Sequence, residues 1–112
     1  MKLLVCGSRT VLNYEIVEKA ILPYNPTMII HGGATGTDFL AERYAERRQI
    51  PTLVFKPDYA LGKHAPLIRN RQMVDISDTV LAIWDGRSRG TMHTVNYARE
   101  KGVPCQLLEL QQ

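Results

Sequence analysis

Short runs of apolar residues recur along the chain, and longer stretches of helical periodicity separate them. The apolar runs cover residues 2–6, 27–30, 52–55, 79–84 and 105–108. Short, mostly apolar runs of this length are typical of strands in a parallel sheet. The pattern therefore predicts five strands, the first of which, at residues 2–6, is buried.

The four stretches between these strands have the spacing of amphipathic helices and recognisable helix ends. Asn13 can cap the first helix, which Pro23 ends, and the second helix runs to about Gln49. Pro66 stands near the first turn of the third helix, and the fourth stops at Gly102. Strands that alternate with helices predict a three-layer α/β domain with a five-stranded parallel sheet.

The order of the strands determines which loops meet. Right-handed crossovers place helices on both faces of the sheet, and we predict the strand order 3-2-1-4-5. The loops after strands 1, 2 and 4 are then neighbours at the edge where open α/β sheets bind their ligands. A chain of 112 residues is long enough for one hydrophobic core, so we expect residues 1–112 to form a single domain.

Glycine and hydroxyl residues fill the three loops that this order brings together. Glycine lets backbone N–H groups approach a bound group closely, and the N-terminus of the following helix adds unpaired N–H donors. Each loop alone is equally compatible with a tight turn that needs glycine only for its dihedral angles. Three of them at adjacent strand ends predict a pocket for a phosphorylated ligand. The predicted ligand-binding residues are Gly7, Ser8, Arg9, Gly32, Gly33, Ala34, Thr35, Gly36, Thr37, Asp38, Arg69, Asn70, Asp85, Gly86, Ser88, Gly90 and Thr91.

Charged side chains near these loops are the candidates for chemistry. Asp38 and Asp85 are the only carboxylates inside the glycine loops, and each can brace its loop, bind ribose hydroxyls or act as a general acid or base. Both are therefore candidate catalytic residues. Arg69 and Arg71 cannot point the same way on a helix, and we predict that Arg69 faces the pocket. His31 ends a strand beside the pocket, where it either contacts a ligand or serves as a structural histidine.

Composition narrows the function classes. The net charge of +3 and the charged content of 22% are ordinary for a soluble globular protein. No apolar run approaches the ~20 residues of a membrane span, so we expect a cytoplasmic protein without a membrane partner. Cys6 and Cys105 have no metal ligands nearby, and we expect free thiols, no metal site and no cofactor. The pattern Gly86-x-Ser88-x-Gly90 matches a nucleophile elbow, but only His93 follows it as a histidine, which disfavours a serine hydrolase.

Four motifs follow one another along the chain: Gly7-Ser8-Arg9, Gly32-Gly33-Ala34-x-Gly36-x-Asp38, Arg69-Asn70-Arg71-x-Met73 and Asp85-Gly86-x-Ser88-x-Gly90-Thr91. Together they resemble the SLOG superfamily, in particular its YspA-type, YpsA-related branch of bacteria and phages. The resemblance covers nearly the whole chain and implies a Rossmann-like domain that binds nucleotides or nucleotide-derived ligands. Relatives in that superfamily include the Lonely Guy phosphoribohydrolases, the DNA-processing protein DprA and sensing domains of bacterial defence systems that recognise ADP-ribose-derived molecules.

One position departs from the enzymes among these relatives. Lonely Guy enzymes pair an arginine, four residues before a methionine, with a glutamate three residues after a Gly-Thr. Arg69 and Met73 match the first element, but Thr94 stands where the glutamate is expected. Cleavage of an N-glycosidic bond passes through an oxocarbenium-like state that a carboxylate stabilises. The chain therefore keeps the binding residues of the family that it resembles but lacks the glutamate, which is the obvious catalytic residue of the enzymes.

The resemblance implies a leading function and two alternatives. The leading one is binding of a phosphorylated nucleotide or ADP-ribose-derived ligand by a sensor or sequestering protein for a signalling nucleotide, in phage or bacterial defence or anti-defence. The first alternative is a nucleotide N-glycosidase that uses Asp38 or Asp85. The weaker one is a DprA-like DNA-binding module, which the lack of an aromatic stripe disfavours. A phage-encoded protein would act in the host cytoplasm, and the sequence leaves a homo-oligomer open.

Overall fold

The computed structural model describes residues 1–111 and shows the alternating α/β arrangement that the sequence predicts. The strands of the described residues are β1 (Lys2–Gly7), β2 (Met28–His31), β3 (Thr52–Val54), β4 (Thr79–Trp84) and β5 (Cys105–Glu109). The α-helices are α1 (Tyr14–Ile21), α2 (Thr37–Arg48), α3 (Ala65–Asp75) and α4 (Arg89–Glu100), and short 3₁₀ turns cover Leu22–Tyr24 and Tyr59–Leu61. None of the helices within residues 1–111 has both the length and the apolar character that crossing a bilayer requires.

The predicted helix ends are found within two residues. The Asn13 side chain accepts a hydrogen bond from the amide of Glu15 and caps α1, and Pro23 lies in the 3₁₀ turn that follows this helix. Gln49 adopts a left-handed conformation after α2. The fourth helix ends at Glu100, two residues before Gly102, because residues 101–102 form a turn.

The strand order β3-β2-β1-β4-β5 is the order that the sequence predicts, and all pairings are parallel. Leu4 pairs with Ile30 on one side and with Val80 on the other, so β1 lies at the centre of the sheet. The loops after β1, β2 and β4 therefore open at the same edge, which we call the carboxyl edge.

A hydrophobic cluster covers each face of the sheet. Alternate strand residues such as Val5 and Ile83 pack under α1 and α2, where Tyr44 is the largest buried side chain. Their neighbours, such as Leu4 and Ala82, pack under α3 and α4. Burial on both faces explains why the three central strands, β2, β1 and β4, are apolar at nearly every position, whereas Leu53 and Val54 of the edge strand β3 are exposed.

The two cysteines are free, as expected from the sequence. Cys6 is buried in β1 and Cys105 is half-buried in β5. Because β4 lies between their strands, the strand axes are two spacings apart, or ~9–10 Å. That separation exceeds the ~7 Å that a disulfide tolerates between Cα atoms.

Candidate functional site

A cavity of about 440 Å³ opens at the carboxyl edge, within the size range of small-molecule sites. We call it the carboxyl-edge cavity. Residues from all three glycine loops and from α3 line it. Its lining contains the predicted residues Gly7, Arg9, Ala34, Asp38, Arg69, Asn70, Asp85, Ser88, Gly90 and Thr91.

Other predicted residues lie beside this lining and not in it, namely Ser8, Gly32, Gly33, Thr35, Gly36, Thr37 and Gly86. Thr37 shows the reason, because its side chain is fully buried and donates a hydrogen bond to the carbonyl oxygen of Ser8 at 3.0 Å. The structure also adds lining residues that sequence reasoning missed: Cys6, Thr10, Pro66, Leu67, Arg87 and Thr94. Each of them either adjoins a predicted residue in the sequence or shares a helix face with one, and this position is the signal that could have identified it.

The glycines of the first two loops are packed against the protein itself. A Cβ atom on Gly7 would overlap the carbonyl oxygen of Ile83, and one on Gly32 would overlap Nη1 of Arg69. A Cβ atom on Gly36, which has a φ of +74°, would lie 2.5 Å from the carbonyl oxygen of Arg9. Glycine at these positions serves close packing and backbone conformation. The alternative that each loop alone allowed, a turn that needs glycine for structural reasons, therefore describes these two loops.

The amides of the loop after β2 are bonded to a carboxylate of the protein itself, that of Asp38. Oδ2 of Asp38 accepts hydrogen bonds from the amides of Gly32 at 3.1 Å and Ala34 at 3.2 Å. Burial raises the pKa of Asp38, while the Ala34 amide, His31, the Gly32 amide and Arg69 oppose that rise. The amides that the sequence assigns to a bound ligand thus already have a carboxylate partner. Oδ1 of Asp38 accepts no hydrogen bond within residues 1–111 and is the oxygen left to meet a ligand.

His31 braces the same loop and does not line the cavity. Its Nδ1 accepts a hydrogen bond from the amide of Gly33 at 3.0 Å, so the proton lies on Nε2, which donates to Glu42 at 2.7 Å. The side chain is only 3% exposed. The structural alternative for His31 therefore fits this geometry.

Asp85 joins the first and third loops. Its Oδ1 accepts hydrogen bonds from the amides of Arg87 and Ser88 at 2.8 and 2.9 Å, and its Oδ2 accepts one from Thr10 Oγ1 at 2.9 Å. Its own amide donates to Ser8 Oγ at 2.9 Å. These hydrogen bonds, those of the two amides first, hold the pKa of Asp85 well below its ordinary value. Asp85 is thus ionised at neutral pH and poorly suited to act as a general acid.

Arg69 faces the cavity, as predicted, but most of its donors are used within the protein. Nη1 donates to the carbonyl oxygens of Gly32 at 2.8 Å and Phe55 at 2.9 Å, and Nε donates to Oδ1 of Asn70 at 2.9 Å. Burial lowers the pKa of Arg69, and the charge of Asp38 opposes this shift. Only Nη2 has no hydrogen bond within residues 1–111. Arg71 is exposed, with its guanidinium 5.7 Å from the centre of the Tyr97 ring.

The N-terminus of α4 is the open end of the cavity. Ser88 caps this helix, and its Oγ accepts hydrogen bonds from the amide of Thr91 at 3.2 Å and from Thr91 Oγ1 at 2.9 Å. The amides of Arg89 and Gly90 have no acceptor within residues 1–111. A Cβ atom on Gly90 would meet nothing within 4 Å, so the cavity itself adjoins this glycine.

The mouth of the cavity carries positive charge. Arg9 and Arg87 line it, both are exposed, and neither forms an ion pair within residues 1–111. A helix N-terminus, unpaired amides and nearby guanidinium groups together favour an anion. Within the described residues, no group of three or more His, Cys, Asp or Glu side chains is arranged to hold a metal ion.

The network around Asp85 predicts a pH dependence of stability. A carboxyl pKa that folding lowers gives stability that is complete above the unfolded pKa and is lost as the pH falls toward the folded one. Asp85→Ala should therefore lower the Tm by a constant amount between about pH 5 and 8, and by a shrinking amount below about pH 4. Thermal unfolding of both proteins across this range measures the difference. Glu46→Ala, which removes an exposed carboxylate from α2, is the matched control. A Tm difference that is as large at pH 3 as at pH 7 would contradict the assignment.

Comparisons with known proteins agree with this architecture. Residues 1–62 match the model of the YAcAr family, described as the YspA, cpYpsA-related SLOG family. The Gene 61 protein of Mycobacterium phage D29 is 33% identical over an alignment of 116 positions, gaps included, which covers 92% of each chain.

Solved structures of DNA processing protein A share the fold. The protein from Streptococcus pneumoniae superposes with a TM-score of 0.83 and 22% identity, over 98% of this chain and 50% of that one. The protein from Helicobacter pylori, described for its unique single-stranded DNA binding mode, gives a TM-score of 0.74 and 21% identity, over 99% of this chain and 66% of that one. This chain therefore spans half to two thirds of those structures. At these identities the likeness shows the fold alone. The family match and the phage relative show more: the chain belongs to the YspA, cpYpsA-related SLOG family.

Proposed function

We propose that the protein binds a phosphorylated nucleotide or ADP-ribose-derived ligand in the carboxyl-edge cavity, as a sensor or sequestering protein for a signalling nucleotide. The observation that carries this proposal is the open N-terminus of α4. There the unpaired amides of Arg89 and Gly90 and the hydroxyl of Ser88 adjoin a cavity whose mouth contains Arg9 and Arg87.

A phosphate group suits this end of the cavity better than the loop after β2. The Asp38 carboxylate already accepts the amides of Gly32 and Ala34, and a second anion there would be repelled. At α4 the Asp85 carboxylate also lines the cavity, but the amides of Arg89 and Gly90 have no acceptor within residues 1–111, and the helix dipole and the two guanidinium groups attract an anion. The proposed phosphate position is therefore at Ser88, Gly90 and Thr91.

The lining of the cavity favours binding over catalysis. Thr94 lines the cavity with its Oγ1 donating to the Gly90 carbonyl oxygen at 3.2 Å, and a hydroxyl cannot replace a carboxylate as base or charge stabiliser. Asp85 is held ionised by loop amides. A nucleotide N-glycosidase stays as the second candidate because Oδ1 of Asp38 is available at the cavity wall.

DNA is a further source of the same phosphate chemistry. The Helicobacter pylori protein with this fold is described as binding single-stranded DNA, and the cavity mouth of this chain carries Arg9 and Arg87. Oligonucleotide binding would grow with chain length, because each added phosphate releases further counterions. A mononucleotide site would show no such growth, so comparing AMP with an eight-nucleotide DNA separates the two.

Gly90→Ala tests the phosphate position. The methyl group would occupy the space through which a phosphate approaches the α4 amides, while replacing a glycine whose φ suits alanine stabilises the fold by about 0.4–1 kcal/mol. We expect an unchanged or higher Tm and an affinity for AMP and ribose 5-phosphate that is about ten- to a hundredfold lower, the loss of one charge-assisted hydrogen bond. Titration calorimetry measures both ligands, with Asn96→Ala on the exposed face of α4 as the control. Wild-type affinity in Gly90→Ala would contradict the position.

Product analysis separates the binder from the enzyme. The protein is incubated with nucleoside monophosphates, NAD and a cyclic ADP-ribose compound, then denatured, and the supernatant is separated by chromatography. We expect each compound to return intact, because no placed carboxylate replaces the missing glutamate at Thr94. Accumulation of free base and ribose phosphate that Asp38→Asn abolishes would instead establish the glycosidase.

A further inference from the structure

The α3 wall of the carboxyl-edge cavity has a different chemistry from the α4 end. Pro66 and Leu67 stand four and three residues before Asn70, so each shares a face of α3 with it, and all three line the cavity. Pro66 and Leu67 are half-buried and apolar. The cavity thus has a cationic end at α4 and an apolar wall at α3 that Asn70 interrupts.

Asn70 presents a side-chain donor to the cavity. The residue as a whole is only 7% exposed, yet it lines the cavity. Oδ1 accepts a hydrogen bond from Arg69 Nε at 2.9 Å, and this bond assigns the orientation of the amide. Nδ2 donates no hydrogen bond within residues 1–111. Because Arg69 engages Oδ1, the NH₂ group is the part of Asn70 that is left to meet an acceptor on a ligand in the cavity.

We infer that the α3 wall binds the base of the nucleotide. Pro66 and Leu67 contact the ring, and Nδ2 of Asn70 donates to a carbonyl oxygen or ring nitrogen at its edge. The inference rests on the proposed function and specifies which part of the ligand faces α3. Because Arg69 Nε engages Oδ1, Asn70 acts here as a donor and favours a base edge with acceptors, such as O6 and N7 of guanine.

Arg69 is a positioning residue in this arrangement. Its Nη1 is fixed by the carbonyl oxygens of Gly32 and Phe55, and its Nε in turn fixes the amide of Asn70. The hydrogen bonds of Arg69 therefore connect the loop after β2 and the end of β3 to the Asn70 NH₂ group that donates to the base.

Asn70→Asp separates base recognition from positioning. The variant keeps an oxygen that accepts from Arg69 Nε but replaces the NH₂ donor with an acceptor. Calorimetry measures the affinities for GMP and for ribose 5-phosphate, which lacks a base. The new charge acts on the phosphate of both compounds, so its effect cancels in the ratio of the two affinities. We expect the ratio to fall at least about tenfold, as for a lost hydrogen bond compounded by repulsion between acceptors. Asn96→Asp adds the same charge to the exposed face of α4 and should leave the ratio unchanged.

Two further measurements keep the test decisive. Leu67→Gln places a polar side chain in the apolar part of the wall. It should also lower the ratio of the affinity for GMP to the affinity for ribose 5-phosphate. This second variant tests the inference if Asn70→Asp fails to fold. In ¹⁵N spectra, the Asn70 side-chain amide should shift with GMP and stay in place with ribose 5-phosphate. An unchanged ratio in the folded variants overturns this inference and leaves the proposed function standing. A wild-type protein that binds neither compound contradicts both.

Discussion

The hydrogen bonds from the Gly32 and Ala34 amides to the Asp38 carboxylate are the constraint on which the proposed binding site depends. A buried carboxylate satisfies the donors that a glycine-rich loop would otherwise offer to a ligand, and its charge repels any second anion nearby. Arg69, fixed on the carbonyl oxygen of Gly32, holds this loop against α3. We therefore propose that an incoming anion binds across the cavity at α4, where the amide of Gly90 has no acceptor within residues 1–111.

Much of the fold follows from the sequence because apolar runs and helix ends are local signals. The five strands and the four helices follow from periodicity and caps, and the predicted order 3-2-1-4-5, which these signals alone do not determine, is confirmed. Element ends move by one or two residues where a turn intervenes, as at Gly102. The location of the cavity is equally accessible, since parallel strands bring the ends of β1, β2 and β4 together.

The details of the site depend on contacts between distant residues, which no local pattern contains. Gly7 and Gly90 look alike in the sequence, but one is packed against Ile83 of the neighbouring strand and the other adjoins open space. The roles of Asp38 and Asp85 as braces likewise need the positions of the amides that surround them. The spacing of Leu67 and Asn70 predicts a shared face of α3, but only the packing of the helix shows that both residues border the cavity.

The proposed function depends most on where an anion binds. Backbone amide chemical shifts, measured during a titration with inorganic phosphate, report this position residue by residue. The account predicts that the largest shifts occur at the amides of Arg89 and Gly90, while those of Gly32 and Ala34 keep their positions because they stay bonded to Asp38. Shifts centred on residues 32–34 would contradict it. So would shifts confined to the apolar cavity of about 680 Å³ that α1 and β5 border on the other side of the sheet.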